Sequence, residues 1–306
     1  MTNNNMMCDL QTGVCGVADD EEMAVIDFNK PAKTVNLYYV TDPICSHCWA
    51  LEPVLRRFQE QYGQYFNFHT VLGGLLEKWH DGPIDPANGI SKPSDVAPHW
   101  REVGEYSRMP IDGSVMIDNP VQSSYPSSRV LKVIAKNYGA EKAYEYLRRT
   151  REQLFAFNQN VSELDVLISI VDHLGLDGNA IIAEAEGPIG HQLLNEDFAL
   201  TRELSARGFP TIIMINEENK GVKIVGSRPL EAYVQGLQKV VGEEIQPKEQ
   251  PSLASLLEKE ELLFSKEIEV MYDIDQAAIT SFIEEELSSN AYELKALLGE
   301  NYITKK

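Results

Sequence analysis

This sequence is short of positive charge, of cysteine and of long apolar runs, and each shortage excludes something. Lysine and arginine number 27 against 47 aspartates and glutamates, a formal charge of −20. Such an excess repels phosphate, so neither nucleic acid nor an anionic membrane surface is an expected partner. No apolar run approaches the roughly 20 residues that a spanning helix needs. Residues 1–10 offer neither a basic nor an apolar region, so no secretory signal is expected and the chain reads as cytoplasmic. Four cysteines in 306 residues are too few for a disulfide-stapled scaffold, and in a reducing compartment they are expected as thiols. What remains is ordinary globular material, 43% apolar and 24% charged, enough for one large domain or two.

The pattern along the chain divides it. Residues 1–30 are rich in Asn, Met and acid and read as a flexible, cysteine-containing leader. Residues 34–40 are β-branched and aromatic like a buried strand, and Thr41-Asp42-Pro43 is a turn signal. After Cys45-Ser46-His47-Cys48, the residues Trp49, Leu51, Val54, Leu55 and Phe58 recur at helical spacing. A second strand is expected over residues 65–72, ended by Gly73-Gly74. Helical patterning dominates residues 94–207, with candidate helices at 125–138, 140–157, 162–174 and 191–206, the third with Ser162 as its N-cap. Residues 211–215 and 222–225 read as a hairpin, and residues 229–241 as a closing helix. The core domain is thus expected over residues 31–245. A proline-containing linker leads to residues 252–306, a small acidic segment of short helical patterns. Residues 247–306 hold 13 acids against 6 lysines, which argues against DNA there too.

The cysteines fall in two pairs, and one of them carries chemistry. Strand, Cys-x-x-Cys, helix places Cys45 at a helix N-terminus, where free N–H groups and the macrodipole favour a thiolate. A protonated or hydrogen-bonding His47 would favour it further. Cys48, three residues on, stands where it can resolve a mixed disulfide. Half of a zinc site is the competing reading of such a pair. The second element is Phe209-Pro210-Thr211, directly before an isoleucine-rich strand. In a thioredoxin-like domain a proline here is cis, beside the dithiol, and leaves the Phe209 backbone free to pair with an extended peptide; the competing reading is a proline that merely opens an edge strand.

Asp42-Pro43-Ile44-Cys45-Ser46-His47-Cys48-Trp49, followed by Leu51-Glu52-Pro53, resembles the DsbA superfamily, a thioredoxin fold interrupted by a helical insertion. Within it the chain is most similar to the FrnE-like and YjbH (SpxH) branch. The core resemblance covers residues 34–242, and the segment from Leu253 onward resembles the extra tail of YjbH proteins. The resemblance implies an α/β thioredoxin fold with a large helical insertion plus a small, mainly helical C-terminal extension. It implies Cys45 as nucleophile, Cys48 as resolving thiol with His47 beside them, and Pro210 as the cis-proline. Phe209, Thr211 and Trp49 are the candidate substrate contacts, although Trp49 also reads as packing for its helix.

Two functions follow from the resemblance. The first is a cytoplasmic thiol–disulfide oxidoreductase or isomerase acting on protein or small-thiol disulfides. The alternative is an adapter that binds the regulator Spx and promotes its degradation by ClpXP, with the dithiol as redox sensor. Cys8 and Cys15 on the leader read as a second redox pair, a zinc site or idle thiols. No histidine lies in residues 1–44, so a four-ligand zinc site would need donors from elsewhere. No cofactor is otherwise expected.

Overall fold

Residues 35–306 are described by the computed structural model. Strand β1 (Val35–Thr41) is largely apolar or aromatic because both of its faces are covered. Val35, Leu37 and Tyr39 alternate onto one face. There they meet Leu51, Leu55 and Phe58 of α1 (Ser46–Tyr62). Strand β2 (Phe66–Leu72) returns parallel to β1, as a strand–helix–strand unit requires. The chain then leaves the sheet for seven helices before coming back.

These are α2 (Pro93–Ser107), α3 (Val115–Asp118), α4 (Tyr125–Tyr138), α5 (Ala140–Arg151), α6 (Leu164–His173), α7 (Gly178–Glu186) and α8 (Pro188–Glu203). Their apolar faces form one core, in which Val130 and Ile134 meet Leu147, Leu167, Val171 and Ile182. α4 runs over the residues expected. α5 ends sooner: residues 152–156 widen into a π-turn, which places Glu152 beside Arg148 and Arg149 and sends Leu154 and Phe155 inward. Ser162 does not cap α6; its hydroxyl donates to Asn160 Oδ1 at 2.6 Å, and the helix starts two residues later. α2 and α7 are short or proline-led helices that apolar period alone did not single out.

β3 (Thr211–Asn216) and β4 (Gly221–Val225) form the hairpin, and α9 (Leu230–Val241) closes the unit. The sheet order is β2-β1-β3-β4 with β3 antiparallel to both neighbours. Tyr233 and Leu237 of α9 join α1 on one face, while Val40, Val71 and Ile213 meet Leu200 of α8 on the other. This is a thioredoxin fold carrying a helical insertion.

Beyond residue 251 come α10 (Leu253–Glu260), β5 (Leu262–Phe264), α11 (Ser265–Tyr272) and α12 (Ile279–Glu286). They are followed by β6 (Tyr292–Leu297) and β7 (Glu300–Lys305). Helices and a leucine- and isoleucine-rich core are present, but so is a three-stranded sheet of order β5-β7-β6. Its hairpin turns on Leu298 and Gly299, both at positive φ (52° and 84°), the backbone that matches strand twist in a two-residue turn. Leucine is a poor advertisement for that conformation, which hid the hairpin among helix-favouring residues.

The C-terminal segment is joined to α1 and α5 by buried charge. Arg56 pairs with Glu260 and lies 3.6 Å from Glu267, whose carboxylate also takes Arg148 at 2.8 Å. Arg149 binds Glu152 at 2.8 Å and the Glu260 carbonyl at 2.5 Å. Removing one partner of a buried pair strands the other, at about 3 kcal/mol or more. Glu267→Ala is therefore expected to lower unfolding free energy by about 3 kcal/mol in urea denaturation. Glu218→Ala, which removes an exposed partner of Lys220, should stay within about 1 kcal/mol of the parent. Equal, small effects from both would mean that the buried charges do not hold the segment.

Candidate functional site

The turn between β1 and α1 is built by one aspartate. Asp42 is buried, and its carboxylate accepts the Ile44 N–H (3.0 Å), the Leu75 N–H (2.8 Å) and the Ser124 hydroxyl (2.9 Å). Burial pushes its carboxyl above the usual range against these hydrogen bonds. The three partners belong to the turn itself, the loop after β2 and the residue before α4 of the insertion, so Asp42 registers all three around the dithiol.

Cys45 is the N-cap of α1, with extended backbone, and its Sγ accepts the Cys48 N–H at 3.3 Å. Both cysteines are free thiols; Cys45 is 5% exposed and Cys48 is fully buried. The expectation that Cys45 is the acidified thiol runs against the electrostatics of the site, which favour charge on Cys48 instead. Burial, the hydrogen bond with Cys48 and that sulfur's charge push the Cys45 thiol well above the thiol range. Burial also opposes charge on Cys48, but there it is outweighed. The Cys45 hydrogen bond, the Arg151 guanidinium and hydrogen bonds from Thr41 and the Asp42 backbone draw Cys48 down. The pair thus gives up one proton easily and holds the other.

His47 is exposed at the mouth of the site, with its ring 5.7 Å from that of His99 on α2. Partial desolvation, and then the neighbouring imidazole, lower its pKa, so it stands as a neutral ring at pH 7. That goes against the protonated form of the expectation and does not touch the hydrogen-bonding form. The Phe209–Pro210 peptide is cis. Phe209 lies over Gly73, where a Cβ would meet its ring at 1.9 Å, so Gly73 seats the ring as well as ending β2.

Two cavities adjoin beside the active-site turn, sharing His47, Asn88, His99 and Phe209, and one of them reaches the dithiol. One, of about 430 Å³, touches Cys45 and is walled by Trp79, Trp100 and Ile90. The other, of about 1080 Å³, runs past Arg228 and Lys266 to Tyr106, which is 93% exposed. The side chains of Trp49 and Thr211 wall neither. Trp49 is fully buried, donates to the Pro110 carbonyl at 3.1 Å and packs against Phe155 and Phe264. The Thr211 hydroxyl donates to the Gly208 carbonyl at 2.7 Å.

Sequence reasoning did not single out Arg151, which is fully buried below the site. It pairs with Glu52 and donates to Thr41 Oγ1 at 2.5 Å and the Asp42 carbonyl at 3.1 Å. A signal existed: residues 147, 151 and 154 share a helix face, and the other two are leucines. A charge on an apolar stripe needs a buried partner. Among the described residues, no group of three or more His, Cys, Asp and Glu side chains is placed to hold a metal ion. Cys8 and Cys15 lie outside the described residues. No helix of the described residues is long and apolar enough to cross a membrane.

Comparison with known proteins adds three findings. The thioredoxin family matches residues 38–235. The chain is similar to the "ClpXP adapter protein SpxH" of Halalkalibacterium halodurans, 33% identical over 281 residues that cover 89% of this chain and 88% of that one. A protein of the same description from Shouchella clausii is 30% identical over 270 residues, covering 87% and 86%. Among solved structures, the cytosolic disulfide reductase DsbM from Pseudomonas aeruginosa shares the fold, with a TM-score of 0.53 and 20% identity, covering 67% of this chain and 98% of that one.

The coupled thiols give a pH test. With Cys8 and Cys15 replaced by alanine so that only the dithiol titrates, thiolate absorbance at 240 nm should rise in two separated steps, the first below and the second well above the ordinary thiol range. In Cys45→Ala the first step should move to higher pH, because Cys48 loses the hydrogen bond that Cys45 supplies. A single two-thiol step at the ordinary value would contradict this reading.

Proposed function

Because the chain belongs to the thioredoxin family and, within it, to the DsbA-like SpxH group, we propose that it works as an adapter that delivers a client protein to the ClpXP protease. The client on this reading is an Spx-type regulator, and the setting is the cytoplasm. The observation that carries the proposal is the extent of the similarity. A match covering 89% of the chain must run well past residue 235, where the thioredoxin match ends, and so takes in part of the C-terminal segment. Exchange chemistry needs only the thioredoxin unit. Similarity beyond it supports the adapter over the exchange enzyme that the dithiol alone suggests.

The fold supplies what an adapter needs. The C-terminal segment is fixed to the dithiol helix by the Arg56 pair and to α5 by the Arg148 pair, so a client laid across these elements meets one rigid surface. A rigid surface binds with less ordering cost than one assembled on contact. The same welding changes how the segment can be tested. Truncation after Gly242 would strip Glu260 and Glu267 from buried arginines, so loss of function in such a variant would report damage to the fold as readily as loss of a docking surface.

A second reading has its own observation: both cysteines are present and hydrogen-bonded, and Cys45 lines a cavity. On that reading Cys45 attacks a client disulfide and Cys48 releases it, with Phe209 and Pro210 beside the peptide.

One reconstitution separates the two. With purified ClpXP and an Spx-type client, the chain is expected to raise the rate of client degradation at least tenfold. The Cys45→Ala/Cys48→Ala variant should keep most of that effect under reducing conditions. No acceleration by the parent chain would overturn the adapter. Covalent partners trapped by Cys48→Ala, released by reductant and absent with Cys45→Ala, would then establish the exchange reading in its place.

A further inference from the structure

Beneath the dithiol lies a cation that neither reading uses. Arg151 comes from the insertion, at the last turn of α5, and is as buried as any residue in the chain. Its Nη2 donates to Thr41 Oγ1 and to the Asp42 carbonyl, the two residues that end β1 and begin the active-site turn. Its Nη1 pairs with Glu52, on α1 one turn beyond Cys48, and lies 3.4 Å from the Tyr39 hydroxyl. Glu52 in turn accepts from the Tyr144 hydroxyl at 3.2 Å. A guanidinium this deep sits in a medium where its field is far less screened than in water. From the geometry we propose that Arg151 is the positioning residue that sets the dithiol's reduction potential, with Glu52 as the counter-charge that limits its effect.

The direction follows from the couple itself. Reducing the Cys45–Cys48 disulfide takes two electrons from a thiol donor, and one proton when one sulfur remains a thiolate. The disulfide carries no charge, whereas the reduced pair carries the thiolate. Arg151 therefore stabilises the reduced form, which makes the disulfide easier to reduce and the potential less negative. Glu52 opposes it, being an anion on the same helix as the sulfur. The other ionisable groups around Cys48 and Arg151 are Tyr39 on β1, Asp42 in the turn, Cys45, Tyr144 on α5 and Tyr233 on α9. Burial holds the three tyrosines above their ordinary value, so they stay neutral near pH 7. Burial raises Asp42 as well, which weakens it as a competing anion. Arg151 is the cation of this group.

The proposal rests on the dithiol being redox-active, whether as a sensor or an exchange centre. The test equilibrates the full chain with glutathione buffers of graded ratio and follows the Cys45–Cys48 disulfide by thiol alkylation and mass spectrometry. Thiolate absorbance at 240 nm is read alongside. Glu52→Gln removes the counter-charge and is expected to favour the reduced form severalfold, with the first thiol step at lower pH. Adding Arg151→Met, so that no charge is left buried without a partner, should then reverse the shift. The double variant should favour the disulfide at least tenfold relative to Glu52→Gln, about 30 mV for two electrons, with the thiol step at higher pH. Arg151→Lys, which keeps the charge, should lie nearer the parent than the double variant does.

Opposite movements in the single and double variants are the signature of a field, since structural damage alone would move both the same way. A parent chain that forms no disulfide at any ratio would overturn the redox reading and this proposal with it. A parent with a measurable equilibrium that all three variants share, or that all three shift in one direction, would overturn the role of Arg151 alone.

Discussion

The structure depends on a set of charges that have left water. Arg56, Arg148, Arg149 and Arg151 are buried with Glu52, Glu152, Glu260 and Glu267 around one side of α1. No one of them would be tolerated there alone, because an unpaired buried ion carries a penalty of several kcal/mol. Together they offset one another, and the offsets cross element boundaries. Arg56 and Glu52 come from α1, the other three arginines from the insertion, and Glu260 and Glu267 from the C-terminal segment. Each block supplies charges that the others complete. Arg148 adds a further tie, with its guanidinium 4.9 Å from the centre of the Trp49 ring and 5.7 Å from that of Phe264.

This arrangement gives the dithiol and the C-terminal segment a common foundation. Trp49, one residue after Cys48, packs between Phe155 of the insertion and Phe264 of β5. A change of charge at Cys48 is felt at Arg151, and Arg151 shares its surroundings with the arginines that hold the segment. On the proposed adapter reading, a docking surface on the C-terminal segment and the dithiol belong to one packed body.

How far the sequence led can be read from particular residues. Cys45-Ser-His-Cys48 and the strand–helix pattern around it located the site, because backbone chemistry at a helix N-terminus is local. Residues 211–216 and 221–225 showed their hairpin through β-branched runs and a polar turn, which are local signals too. The charge network is different in kind. Glu267 is an ordinary helix residue until β5 brings it to Arg148, which lies 119 positions earlier. Arg151 was visible only as a charge on a leucine stripe, and nothing nearby in sequence names Glu52 as its partner. Gly73 read as a strand end, and its second use appears only when Phe209 arrives from the far side of the insertion. Long-range electrostatics and close approach are properties of the assembled fold, and they were legible only there.

The central claim is that the dithiol helix and the C-terminal segment are one cooperative body joined by buried charge. Native-state hydrogen exchange tests it most directly. The slowest amides of α1 and those of β5 and α11 should open with the same free energy and the same dependence on denaturant, as members of one unfolding unit do. A segment beyond residue 251 that opens separately, at a clearly lower free energy and with a smaller denaturant dependence, would contradict the account.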